Sequence, residues 1–169
     1  MQQDYRATYV AGLIDARAME TEAIQLLSRQ VERLDNYPEM QAALRRHVRE
    51  SEVQRDRLDE LLSSLGSSHS GLKDLVTGFV ANLAALGHAV APDEVLKNAM
   101  ANYAFEHYEI AAYRCLVTLS ELAGHDSAHA VLDLSLREEE RMAQWCHDNL
   151  DAVTRRHAEL RARGATAGA

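Results

Sequence analysis

From about Tyr5 to Asp35, apolar residues return every three or four positions: Leu13, Ala16, Ile24, Leu27, Val31 and Leu34. That spacing predicts an amphipathic helix. The period resumes after Pro38, through Met40, Ala43 and Leu44, then Leu58, Leu61 and Leu65. Pro38 suits a first helical turn, where a missing N–H costs nothing. A third helix is predicted after Ala91-Pro92-Asp93, with Asp93 as N-cap. It runs to about Ala123 through Ala101, Phe105, Tyr108, Ala112, Cys115 and Leu119. A fourth runs from about Ser127 to beyond Leu150, through Leu132, Leu136, Ala143, Cys146 and Leu150. Between the second and third, the Gly- and Ser-rich stretch from Gly66 to Gly71 reads as a loop. Leu72 to Leu86 then reads as a shorter helix, C-capped by Gly87, that crosses the bundle between two hairpins.

Each long stripe is broken near its middle by acids. Glu20 falls inside the first stripe, four residues before Ile24. In the second, His47, Glu50, Ser51 and Gln54 fill the gap between Leu44 and Leu58. Glu106 and Glu109 lie one turn apart on the third, and Glu139 continues the fourth between Leu136 and Ala143. Glu20 and Glu50 are 30 positions apart about Asp35, which opens the breaking sequence Asp35-Asn36-Tyr37-Pro38. Glu109 and Glu139 are also 30 apart, about Gly124. An antiparallel hairpin folded at each midpoint brings each acid back level with its mate. A shift of 89 positions also lays the first hairpin on the second, Glu20 on Glu109 and Glu50 on Glu139. The expected fold is all-α: a four-helix bundle with an additional short crossover helix between helices 2 and 3. Residues 1–163 are read as a single domain, with 164–169 a flexible tail.

Composition narrows the class. The 169 residues are 47% hydrophobic and 26% charged, with two Pro and few aromatics, as expected of a helical globular domain. The formal charge of −8 argues against nucleic acid or an acidic membrane as partner. The N-terminus carries no signal-peptide pattern and no apolar run reaches bilayer length, so a cytoplasmic protein is expected. Cys115 and Cys146 form no metal or redox motif together and read as two buried thiols.

The candidate metal ligands are therefore Glu20, His47, Glu50, Glu106, Glu109 and Glu139. Residues three apart share a helix face, so His47-x-x-Glu50 and Glu106-x-x-Glu109 can each aim two donors at one point. Unpaired buried charges cost on the order of several kcal/mol each. Such a cluster needs protons, arginines or metal. Two divalent ions come close to balancing five carboxylates, and an oxygen-rich set with an imidazole suits iron or manganese. Carboxylate-bridged di-iron sites in helical bundles have this form. Other readings stay open. Glu138 competes with Glu139 for the inward position, and Glu106 and Glu109 can pair with arginines. His47 can be a core histidine whose hydrogen bonds are met. Tyr103, Tyr108 and Tyr113 are candidate relay groups beside the site, or core packing.

The stretch Phe105-Glu106-His107-Tyr108-Glu109-Ile110-Ala111-Ala112-Tyr113 resembles the third-helix signature of the YciF/YciE-type ferritin-like stress proteins. His47-Val48-Arg49-Glu50-Ser51-Glu52-Val53-Gln54 is similar to their second-helix pattern. Met19-Glu20 and Arg137-Glu138-Glu139-Glu140 resemble their first- and fourth-helix acids. The resemblance spans roughly Asp15 to Asp148 and implies a ferritin-like or rubrerythrin-like bundle, a di-metal centre and a link to stress responses. The Glu-x-x-His pairs of better-known di-iron bundles are missing: Glu50-x-x-Val53 and Glu139-x-x-Met142 stand in their place.

Two functions of different class follow, while a third, a DNA-protecting mini-ferritin, is opposed by the charge of −8 and the absence of a Lys-rich arm. One is a metal-binding redox protein acting on peroxide, oxygen or iron. The other is a non-enzymatic stress-associated bundle with a degenerate site, working through dimerisation or a protein partner. Spare apolar positions such as Leu26, Ile110 and Trp145 lead to an expected homodimer.

Overall fold

The computed structural model describes residues 2–66 and 93–165. They form four long helices: α1 (Gln2–Val31), α2 (Pro38–Ser64), α3 (Glu94–Leu122) and α4 (His129–Ala162). A single 3-10 turn, Asp126–Ala128, precedes α4, and no strand occurs among the described residues. The all-α bundle read from the stripes is the observed architecture. The expected crossover helix at Leu72–Leu86 lies outside the described residues. No helix among them is long and apolar enough to cross a membrane.

Two hairpins build the bundle, α1 with α2 and α3 with α4, and α1 packs on α3. Pairings along the α1–α3 seam run in opposite directions: Gln30 meets Asn102 and Glu20 meets Tyr113. These two helices are therefore antiparallel. Cross-links from His47 to Glu139 and from Arg57 to Glu138 join α2 to α4.

Each turn has a local cause. Pro38 occupies the start of α2 as expected. α1 stops at Val31, four residues short of the expected Asp35. The backbone beyond it turns through Arg33 N–H to Gln30 O at 2.9 Å and Tyr37 N–H to Leu34 O at 2.8 Å. Leu34 and Tyr37 stay buried, so this turn belongs to the core. Gly124 has φ +74° and ends α3. Its N–H reaches Glu121 O, while His125 N–H reaches back to Ser120 O at 2.8 Å, a Schellman closure. The expected Asp93 cap is not formed. Its side chain caps no N–H and instead pairs with Lys97 one turn on, at 3.0 Å.

The interior has three storeys. One apolar cluster, around Tyr9, Leu13, Leu58, Leu116 and Leu132, fills one end. Another, around Leu27, Leu44, Val95, Met142 and Val153, fills the other. Between them lies a buried polar belt: Glu20, His47, Ser51, Gln54, Glu106, Glu109 and Glu139, all inaccessible to solvent.

Two expectations are corrected. Tyr108 is 42% exposed and Cys115 is exposed; only Cys146 is a buried thiol. The inner line of α3 runs through Asn98, Asn102, Phe105, Glu106, Glu109, Tyr113, Leu116 and Ser120. More than half of that line is polar. An apolar count follows the wrong edge of such a helix and puts Tyr108 and Cys115 inside.

Candidate metal centre

α2 supplies the imidazole. Its buried line is Met40, Ala43, Leu44, His47, Ser51, Gln54, Leu58 and Leu62, at helical spacing. Once His47 points inward at the depth of the belt, Glu50 is carried toward the rim, with a side chain 25% exposed. α3 supplies Glu106 and Glu109, one turn apart on its inner line, and α4 supplies Glu139. Donor atoms of His47, Glu106, Glu109 and Glu139 lie within 4.8 Å of one another, and all four residues are buried.

The donors are largely unengaged. Both oxygens of Glu106, both of Glu109, Oε2 of Glu139, Oε2 of Glu20 and Nε2 of His47 have no hydrogen-bond partner among the described residues. His47 Nε2 lies 3.2 Å from Glu106 Oε2 and 3.4 Å from Glu139 Oε2, close contacts without hydrogen-bond geometry. The outward-facing atoms are held instead. Tyr113 donates to Glu20 Oε1 at 2.6 Å. Gln54 Nε2 donates to Glu139 Oε1 at 2.5 Å and to Glu138 Oε2 at 3.0 Å. Arg57 holds Glu138 through Nη1 at 2.5 Å and Nη2 at 3.1 Å, and also reaches Ser135 Oγ at 3.2 Å. Of the two competing acids, Glu139 lies in the cluster and Glu138 is an ion-pair partner beside it.

The electrostatics follow from burial. Glu109 is raised well above the usual carboxyl range by desolvation, then by the charges of Glu139 and Glu20. Glu20 is raised well above that range by burial and by Glu139, against the opposing hydrogen bond from Tyr113. Burial pushes Glu106 up to about 7, with His47 pulling the other way. Burial alone would lower His47, but the carboxylate of Glu106 and its other acidic neighbours outweigh it and raise the imidazole well above its ordinary value. Glu50 moves in the opposite direction and is lowered, chiefly by its hydrogen bond with His47.

The residues present fit a divalent cation. Several buried carboxylate oxygens and one imidazole nitrogen converge with no donor aimed at them, and buried charge of one sign needs compensation. An oxygen-rich set of this kind suits a hard or borderline cation. His47, Glu106, Glu109 and Glu139 would hold it, with Glu20 across the belt.

Of the six candidate ligands, four are thus brought together. Glu20 joins the belt through its electrostatic coupling to Glu139 and Glu106, and Glu50 sits beside His47 at the edge. The midpoint geometry fixes depth but not rotation about the helix axis. Along α2 the inward rotation belongs to His47, Ser51 and Gln54. Gln54, Arg57 and Ser135 stand around the site beyond the six candidates. The signal available was the spacing of His47, Ser51, Gln54 and Leu58, which continues one buried line through polar residues.

The fold and belt define a class, a four-helix bundle with a buried His/Glu cluster able to hold a metal ion. The chain matches, over residues 4–159, the family described as domain of unknown function DUF892, and it belongs to that family. Solved structures agree. A Xanthomonas campestris pv. campestris protein is 30% identical with a TM-score of 0.79, covering 94% of this chain and 99% of its own. YcfI, a putative structural protein from Rhodopseudomonas palustris, is 25% identical with a TM-score of 0.73, covering 85% of this chain and 92% of its own. The E. coli stress protein YciF is 22% identical with a TM-score of 0.72, covering 86% and 94%, and at that identity it shows shared fold. The YciF-type resemblance of the helix motifs is upheld.

Proposed function

We propose that this chain is a ferritin-like metal-binding protein whose polar belt holds iron or manganese, as one ion or a pair, for redox chemistry with peroxide or oxygen. One observation carries the reading. His47, Glu106, Glu109 and Glu139 each bring a donor atom within 4.8 Å of the others, and six of their buried donor atoms, together with Oε2 of Glu20, have no hydrogen-bond partner among the described residues. A folded domain does not gather unpaired buried acids without compensation. When bound, such an ion activates an oxidant and stabilises developing negative charge. The chain's own residues hold the donors in place, keep water out with the apolar clusters at both ends, and keep protons within reach of the carboxylates. A role in stress is supported by the fold shared with the E. coli stress protein YciF.

Elemental analysis of protein purified without chelator or affinity tag tests the reading. Anaerobic titration with ferrous iron follows, then admission of peroxide. Stoichiometric uptake and peroxide consumption are expected. Protein that neither binds iron or manganese nor consumes peroxide would leave a bundle whose acids are managed by protons, acting through a protein partner.

A homodimer belongs to the same proposal. Ile110 and Trp145 pack largely on the chain's own core. Among the described residues Met100, Leu122 and Leu134 are large apolar side chains of α3 and α4 exposed to a second copy. Light scattering at micromolar concentration should give twice the chain mass; a monomer mass would remove the dimer.

A further inference from the structure

His47 presents its two ring nitrogens to different surroundings. Nδ1 lies 3.3 Å from Oε2 of Glu50, one turn along the same helix. Nε2 faces Glu106 and Glu139 and has no hydrogen-bond partner, in a side chain only 1% exposed. The other oxygen of Glu50, Oε1, lies 3.5 Å from Nη2 of Arg141 on α4. Arg46 adds a weaker positive field from the neighbouring position on α2.

An imidazole offers a cation one lone pair at a time. The nitrogen that offers it is set by the partner of the other. An ionised carboxylate only accepts hydrogen bonds. Beside Glu50, Nδ1 therefore keeps its proton when a cation takes the place of the other, and the lone pair is then offered by Nε2, where the acids converge. Both residues ride on one helix three positions apart, so their contact does not depend on how α2 seats in the bundle. The buried, unpartnered Nε2 aimed into the acid cluster is an observation independent of the acids themselves.

We infer that Glu50 is a positioning residue of the metal centre: it fixes the proton of His47 on Nδ1, turns Nε2 toward the ion, and is itself steadied by Arg141. This rests on the metal-binding reading above. It also accounts for an acid at the site's depth that does not face the cluster. A carboxylate on the far nitrogen makes the imidazole a better donor and locks the ring's rotation. Loss of such a partner typically weakens metal binding by about 10- to 100-fold.

The test uses the full chain, with manganese and zinc as probe ions competed against a chromophoric chelator. Wild type, Glu50→Gln and Glu50→Ala are compared, with the melting temperature of each metal-free protein as a folding control. Histidine 15N NMR of the zinc-loaded protein reads which nitrogen holds zinc and which holds hydrogen. The expected order of affinity is wild type, then Gln, whose amide oxygen still accepts from Nδ1, then Ala, weaker by about 10- to 100-fold. The number of ions per chain stays constant, and zinc sits on Nε2 with hydrogen on Nδ1. Equal affinity in all three proteins, or zinc on Nδ1, overturns the inference. Fewer ions bound to Glu50→Ala also overturns it, by making Glu50 a ligand. Should Glu50→Ala fail to fold, Glu50→Gln and the NMR assignment decide. Wild type that takes up neither ion removes the metal reading itself, an outcome distinct from the others.

Discussion

Tyr113 on α3 donates its phenol hydrogen to Glu20 on α1 at 2.6 Å, with both side chains buried. Among the described residues it is the one side-chain hydrogen bond made to Glu20, whose second oxygen has no partner there. Tyr113→Phe removes the donor and keeps the ring. Loss of about 1–3 kcal/mol is expected, the usual cost of orphaning a buried acceptor. For a chain of this size that is a fall in melting temperature of several degrees. An unchanged melting temperature would show that the phenol contributes only packing.

Glu109 sits at the centre of the belt with both oxygens unpartnered. Glu109→Ala should sharply reduce bound iron or manganese and, with it, the thermal stabilisation that metal supplies by mass action. Without metal, the near-isosteric Glu109→Gln should be neutral or stabilising, because it relieves the repulsion with Glu139 and Glu20. Melting curves of the Gln variant with and without added metal check both halves. Undiminished metal content in the Ala variant would exclude Glu109 as a ligand.

pH should act oppositely on the two forms. Glu20, Glu106 and Glu109 are all raised in the folded state, Glu106 to about 7, and so is His47. Groups raised on folding bind more protons folded than unfolded. Their stabilisation is present below the ordinary carboxyl value and is lost as pH rises through the folded value. Metal-free protein should therefore lose stability from about pH 5 to about pH 8. Metal binding needs deprotonated ligands, so the gain in melting temperature on adding metal should grow over the same interval. Melts across this range with and without manganese make the comparison. A flat metal-free profile would count against a buried, unpaired acid cluster.

Arg57 and Glu138 form a two-pronged ion pair between α2 and α4, with side chains 19% and 10% exposed. Arg57→Ala leaves Glu138 with Gln54 as its remaining donor. Breaking a largely buried pair from one side should cost about 2–3 kcal/mol, somewhat less than for a fully buried one. Chemical denaturation of the variant reads this directly. A cost under about 0.5 kcal/mol would class the pair with exposed salt bridges.

Gly124 closes α3 with φ +74°. Gly124→Ala places a Cβ in the left-handed region and should cost about 1–2 kcal/mol, visible as a melting temperature lower by a few degrees. No change would mean that the turn relaxes to another closure.

The fold was legible because three of its determinants are local. Pro38 starts α2, Gly124 stops α3, and the apolar period marks all four helices. The depth of the acids was legible too, since a hairpin's midpoint converts chain distance into height. Rotation about each helix axis was not. Glu50 and His47 are one turn apart, and which of them faces inward depends on neighbours contributed by α3 and α4. The polar side chains of the belt blur the inner edge of α3, so its apolar period runs through the exposed Tyr108 and Cys115. Arg57 carries no separate signal, because its partner Glu138 lies more than eighty positions away along the chain, whereas Gln54 is marked by its place on the line of His47, Ser51 and Leu58.

Gln30 and Asn102, both buried, exchange two hydrogen bonds across α1 and α3, at 3.1 and 2.8 Å. Each amide gives one hydrogen and takes one, so the pair closes only at a single alignment. Sliding α1 past α3 by one turn, about 5.4 Å, would strand both amides and carry Glu20 away from Tyr113 and Glu109. The pair works as a key and keyway: two uncharged side chains, one storey above the acids, set the height at which those acids meet.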